Sequence, residues 1–178
     1  IGLIFGIKLP NNFLSPFKAT NISEFWRCWH ITLTRMIRNY IYTPLALKLT
    51  RMSIEKNLGE KITFFIGVIF PTLFAFFWVG VWHGAGWNFI CFGLLNGFYL
   101  IFYYLMQQSK ISLVRFENFN IELIRFLKMS FNFILVSVSF IFFRAKDLES
   151  TREIFRGITG INGINFGDAF KIGEFATE

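Results

Sequence analysis

The stretch ITFFIGVIFPTLFAFFWVGVWHGAGWNFICFGLLNGFYLIFYYLMQQS, residues 62–109, contains no Lys, Arg, Asp or Glu. Its 48 residues suffice for two bilayer crossings at about 20 apolar residues each. As a helix, Ile62–Trp82 is about 31 Å long, the thickness of a hydrocarbon core, and Pro71 is expected to kink it. A second crossing is expected over Trp87–Met106, interrupted only by Asn88, Asn96, Gly93 and Gly97. Gly93 and Gly97 form a GxxxG, a common pattern that permits close helix contact. Between the two crossings lies Trp82-His83-Gly84-Ala85-Gly86-Trp87. An ionisable side chain in such a place is costly to keep, which makes His83 a candidate functional residue.

The rest of the chain agrees with a lipid environment. Of the 178 residues 54% are hydrophobic and only 16% charged, against about 25% charged in soluble domains. Phe alone fills 26 positions, more apolar surface than a soluble fold of this length hides. The net charge of +7 could signal nucleic acid, but the basic residues flank apolar runs, which points to membrane orientation and anionic headgroups. No nucleic-acid partner is expected. Cys28 and Cys91 form no CxxC, so neither a disulfide nor a metal framework is expected. Ile1–Ile7 reads as the tail of an earlier apolar helix, and the whole as a fragment of a larger membrane protein.

Working outward, residues 8–61 carry nine Lys or Arg against three Glu, which places them on the cytoplasmic side. Within them Ile22, Phe25, Trp26, Trp29, Leu33, Met36, Ile37, Tyr40 and Ile41 recur at helical spacing. Glu24, Arg27, Arg35 and Arg38 fall on the opposite face. The pattern predicts an amphipathic interfacial helix over 21–47, with Asn21 as N-cap, Glu24 completing a capping-box-like start, and a break or kink at Pro44. His30 lies at the edge of its apolar stripe. Downstream, a mixed connector over 110–128 is expected on the cytoplasmic side. A third crossing is expected over 124–143, with Ser137 and Ser139 able to bond across helices, and then a polar, Gly-rich tail over 144–178.

On the residues alone, two readings of His83 stand: a structural imidazole bonded in a turn, or a general base at a site. Gly84 and Gly86 favour the second, because they permit unusual backbone angles and close approach. A helix broken at membrane depth is tolerated where it lines a cavity or buried site. A neutral imidazole there can act as a base near neutral pH. Trp26 and Trp29 read as anchors and packing, the arginines as a solvated or headgroup-facing surface, and Cys91 as core. Asn88 either satisfies backbone groups at the break or orients His83.

Three blocks in order carry a resemblance: Ser23-Glu24-Phe25-Trp26-Arg27-Cys28-Trp29-His30-Ile31-Thr32-Leu33, Arg38-Asn39-Tyr40-Ile41-Tyr42-Thr43-Pro44-Leu45, and Trp82-His83-Gly84-Ala85-Gly86-Trp87. Together they resemble the membrane-bound O-acyltransferase family, in its bacterial alginate and peptidoglycan O-acetyltransferase branch, with similarity thinning after Phe143. The fold class this implies is an all-α polytopic membrane bundle, of which residues 1–178 are the C-terminal part. The resemblance implies His83 and His30 as catalytic residues, His83 facing a tunnel through the membrane. It implies a cytoplasmic thioester donor, acetyl-CoA or an acyl carrier protein, and no metal. The acceptor is an extracytoplasmic polysaccharide, reached with an esterase-like periplasmic or surface partner, at the bacterial inner membrane. Cys28 departs from the pattern, where relatives more often carry a basic residue. Three alternatives remain: D-alanyl transfer to teichoic acid-type polymers, a transporter or channel subunit in which His83 and the glycines line a path, and, weakest, a purely structural membrane subunit.

Overall fold

The computed structural model describes residues 2–109 and 120–161; the connector at 110–119 and the tail beyond 161 lie outside the described residues. Among the described residues the chain is all-α, without strands. Its helices are α1 (Ile22–Cys28), α2 (Ile31–Ile37), α3 (Thr43–Glu55), α4 (Glu60–Phe64), α5 (Phe70–His83), α6 (Trp87–Gln108), α7 (Ile121–Arg144) and α8 (Leu148–Ile158). Three segments are long and apolar enough to span a membrane: Glu60–His83, Trp87–Gln108 and Ile121–Arg144. At most 28% of any of these apolar windows is buried, so rings such as Phe98, Phe102 and Phe131 point outward, where hydrocarbon rather than water suits them. At the other end of the chain, Gly2–Phe5 forms a 3-10 turn.

The helix expected over 21–47 is divided. α1 ends at Cys28, Trp29 is extended, and His30 takes a left-handed backbone conformation (φ 43°, ψ 56°) before α2 starts. Beyond this turn the stripe predicted from spacing loses its register: Met36 is 47% and Tyr40 79% exposed. Before it, the stripe is buried as expected. Ile22, Phe25 and Trp26 join Ala19, Phe92 of α6 and Val136 of α7 in one core cluster, so α1 tucks its apolar face onto the spanning helices. Asn132 of α7 adds a buried tether by donating to the Ala19 carbonyl at 3.1 Å.

Neither Pro44 nor Pro71 breaks its helix. Each stands at the start of an α-helix that directly follows a π turn, Arg38–Tyr42 before α3 and Phe65–Ile69 before α5. A proline lacks the N–H for an i−4 bond and its ring crowds the i−4 carbonyl. The wider turn takes up that strain: the amides of Thr43 and Phe70 reach back five residues, to the carbonyls of Arg38 and Phe65. α2–α3 and α4–α5 therefore each run on without a gap in helical structure. The two meet where Gly67 faces the Thr50 side chain and where the hydroxyls of Ser53 and Thr63 bond at 2.6 Å.

The closest packing is between α5 and α6. A Cβ at Gly80 would sit 2.5 Å from the Phe89 carbonyl oxygen, and one at Gly93 would strike the Phe76 carbonyl oxygen. Gly97 is less tight, at 3.2 Å from the Phe76 Cβ. The GxxxG thus serves the hairpin itself. α7 spans 121–144, starting three residues earlier than its apolar run, because Asn120 caps it by accepting the Glu122 amide at 2.9 Å. Ser139, buried in α7, bonds within its own helix to Val136. The expected polar tail opens with α8, capped by Asp147, whose carboxylate accepts the Ser150 amide at 2.7 Å.

The start of α1 is pH-sensitive. Asn21 accepts the Glu24 amide at 2.9 Å, and the Glu24 carboxylate accepts both the amide (2.8 Å) and the hydroxyl (2.9 Å) of Thr20. The Thr20 amide above all, then the Thr20 hydroxyl, hold the Glu24 carboxyl below its ordinary pKa, against an opposing effect of burial. Its contribution to stability is full above the unfolded value and is lost as pH falls through the lower folded one. Glu24→Gln is expected to cost about 0.5 kcal/mol at neutral pH, the low end for caps because water reaches this carboxylate. The cost should shrink as pH falls, so the gap in detergent melting between the two proteins should be narrower at pH 3 than at pH 7.

Candidate functional site

His83 is the last residue of α5, and Gly84–Gly86 lead into α6. These glycines serve space rather than unusual dihedrals. Gly84 is extended (φ 162°, ψ 170°), as is Gly86 (φ −83°, ψ 145°). A Cβ at Gly84 would sit 2.5 Å from the Phe89 ring, and one at Gly86 would meet the Asn88 side-chain oxygen. The break is therefore a tight passage of backbone past Phe89 and Asn88. Asn88, 2% exposed, donates to the carbonyls of Ala145 (2.8 Å) and Phe142 (3.2 Å). It satisfies carbonyls at the end of α7 rather than at the break, where the sequence reading places its partners.

That tie brings Phe143 to His83. The imidazole lies in a box of rings, with centroids at 4.6 Å from Trp82, 4.8 Å from Phe143, 5.7 Å from Phe92 and 6.5 Å from Phe89. Phe143 and Phe92 stand nearly perpendicular to it, at 88° and 81°. The box fixes the ring through its faces and edges. No hydrogen bond engages the His83 nitrogens among the described residues, and they are not sealed from their surroundings. A half-buried imidazole held by apolar walls with free nitrogens can take a proton from a hydroxyl brought to it.

His30 approaches the same place from α2. Its ring is 6.1 Å from Trp82 at 80°, and 6.0 Å from Phe13. Trp82 thus touches both histidines. The His30 Nδ1 is buried without a hydrogen-bond partner among the described residues. A left-handed non-glycine residue costs roughly 1–3 kcal/mol and persists only where the surroundings impose it. Here segment 12–14 imposes it: Leu14 N–H donates to Cys28 O (3.0 Å), Ile31 N–H to Asn12 O (2.9 Å), and both Thr32 N–H and Thr32 Oγ1 to Asn12 Oδ1 (3.0 and 2.9 Å).

Sequence reasoning named both histidines but missed Asn12, Phe13, Phe92 and Phe143. Of these only Asn12, next to Asn11 after Pro10, carries a local signal, that of turn chemistry. Of the three arginines, Arg27 and Arg38 line a cavity of about 200 Å³ with Trp26, Tyr42, Thr72 and Tyr104, and Arg35 does not. Trp26 is buried in the core and Trp29 stacks on Phe25 at 5.5 Å, both as packing. Cys91 is half-buried rather than core.

An all-α bundle with three helices long and apolar enough to cross a bilayer belongs to the class of helical membrane proteins. The sequence model of the membrane-bound O-acyltransferase family matches residues 1–144, and the chain belongs to that family. It is 40% identical over 166 residues to a peptidoglycan O-acetyltransferase of Helicobacter pylori, an alignment covering 93% of this chain and 28% of that protein. It is 30% identical over 168 residues to a probable alginate O-acetylase AlgI of Azotobacter vinelandii, covering 94% and 28%. A teichoic acid D-alanyltransferase of Bacillus subtilis is 33% identical over 98 residues, covering 54% and 23%. The chain thus spans under a third of the length of these relatives. The family match ends one residue past Phe143, whereas likeness to the Helicobacter protein continues into the tail.

Proposed function

We propose that this chain carries the catalytic histidines of a bacterial inner-membrane O-acetyltransferase that modifies an extracytoplasmic polysaccharide, with peptidoglycan as first choice of polymer. The observation that carries the reading is the placement of His83, with free nitrogens in a ring-lined box, beside His30 across Trp82. The choice of polymer is supported by the 40% likeness to a peptidoglycan O-acetyltransferase over nearly the whole chain.

In this reading the acetyl group arrives as a cytoplasmic thioester, acetyl-CoA or an acyl-carrier protein. An acceptor hydroxyl attacks the thioester carbonyl; the C–O bond forms, the C–S bond breaks, and His83 takes the hydroxyl proton and returns it to the departing thiolate. The acceptor is a polymer hydroxyl or one on an esterase-like partner outside the membrane. The aromatic walls serve a second end, since keeping bulk water from the thioester protects it from hydrolysis. His30 shapes the donor side of the same space.

The test is His83→Ala in the complete protein in cells, with base-labile acetate measured on peptidoglycan and on other surface polymers. Loss from peptidoglycan alone supports the reading. Loss of D-alanyl ester from teichoic acid instead would move the chain to the D-alanyl branch, and unchanged esters everywhere would favour transport.

A further inference from the structure

We propose that Asn12 is a positioning residue for the acyl transfer: it locks His30 into its left-handed turn and so aims the imidazole at the Trp82 side of the site. This rests on the reading of His30 as a participant. The ring of His30 makes no hydrogen bond among the described residues: its Nδ1 is buried without a partner, and its aromatic neighbours there are Phe13 and Trp82. Its direction is therefore set by the backbone. That backbone is held in a conformation disfavoured for any residue with a side chain (φ 43°).

The polar groups flanking His30 show what holds it. Thr34 satisfies the near side, its hydroxyl donating to Trp29 O at 3.1 Å and its amide to His30 O at 2.9 Å. On the far side, the bonds among the described residues come from Asn12. Its main-chain carbonyl accepts the Ile31 amide, and its side-chain oxygen accepts both the amide and the hydroxyl of Thr32. These contacts bridge twenty residues of sequence and close on the two residues that follow His30. Phe13, the neighbour of Asn12, then packs against His30 itself. One short segment thus fixes the turn and walls the ring.

Both side-chain bonds use Asn12 only as an acceptor, which gives a sharp test. In the complete protein, Asn12→Ala is expected to lower polymer acetylation about ten- to a hundredfold, the scale of a group displaced by about 1 Å, with membrane abundance and melting near those of the parent. Asn12→Asp keeps both acceptor bonds and should restore acetylation to within about threefold of the parent. Should Asn12→Ala not accumulate, Asn12→Ser, whose shorter side chain cannot serve both groups of Thr32, takes its place with the same expectation. Combining Asn12→Ala with His30→Gln should be no slower than His30→Gln alone within about twofold. Losses that multiply, or Asn12→Asp as poor as Asn12→Ala, would overturn the proposal. Asn12→Ala at parental activity beside an impaired His30→Gln would also overturn it. A fully active His30→Gln would instead sink the reading of His30 on which it rests.

Discussion

Exchange of His83 for alanine in the complete protein is expected to reduce polymer acetylation by two to four orders of magnitude while leaving the bundle folded. The magnitude follows from the role. A positioned general base contributes about 10²–10⁴ to the rate, equivalent to roughly 2.7–5.5 kcal/mol of barrier. The structural side of the forecast follows from the contacts. His83 makes no hydrogen bond among the described residues, so its removal leaves no buried polar partner stranded. The walls of its box are held independently: Phe143 through the two bonds from Asn88, and Phe92 through the core cluster. A structural histidine would give the opposite signature, with a lower melting temperature, reduced abundance and a proportionate loss of activity. His83→Gln sharpens the contrast, since it fills most of the space and cannot accept a proton near neutral pH. Glutamine as inactive as alanine, with parental melting, identifies a proton acceptor. Glutamine near parental activity would reduce His83 to a packing and hydrogen-bonding residue.

What could be read from the sequence divides along the range of the interactions. The hairpin was legible because absence of charge over 62–109 and a Gly-rich interruption are local facts, and lipid acts on each span separately. The capping of α1 by Asn21 and Glu24 was legible for the same reason, although Glu24 reaches Thr20 rather than the cap residue. The turn at His30 was not, because nothing local asks for a left-handed histidine; the cause lies at Asn12, far back in the chain. The two prolines were read by a local rule that does not foresee the π turn preceding each, and neither ends its helix. Asn88 kept two readings until α7 was placed, since its partners are 54 and 57 residues away. α8 was a different kind of miss. Its signal was present in Asp147 followed by Leu148, Thr151, Phe155 and Ile158 at helical spacing, but the charged, Gly-rich composition of 144–178 was averaged over it. Of the site, the sequence showed which side chains have chemistry, and the fold supplied the phenyl walls and the geometry that unite them.

The largest structural effect should come from Gly93→Leu, which is expected to abolish accumulation of the folded protein at physiological temperature. The Cα of Gly93 faces the backbone of α5, where an added Cβ would strike the Phe76 carbonyl oxygen and stand 3.0 Å from the Gly80 amide nitrogen. Backbone cannot swing aside as a side chain can, so the helices must separate. Separation would undo the contacts of Gly80 and Gly97 together, because all three glycines share one face-to-face approach. In lipid, helices gain no hydrophobic advantage from associating; close van der Waals contact holds them, and widening the gap removes it. Overpacking alone costs about 1–3 kcal/mol in well-packed cores, and the lost interhelical contact adds to it. Two comparisons isolate the cause. Gly97→Ala meets only the side chains of Phe76 and Leu73, at 3.2 and 3.3 Å, which can yield, so a small loss of melting temperature is expected. Gly157→Ala, on α8 with nothing within 4 Å, should be neutral or stabilising by up to about 1 kcal/mol. Abundance and detergent melting in the order Gly157→Ala, Gly97→Ala, Gly93→Leu would tie stability to backbone approach at the hairpin. The hairpin also carries His83 at its turn, so a Gly93→Leu protein rescued by low-temperature expression should remain poor in acetyl transfer even where it is folded. If it melted and acted like the parent, the α5–α6 contact would not be what holds the site together.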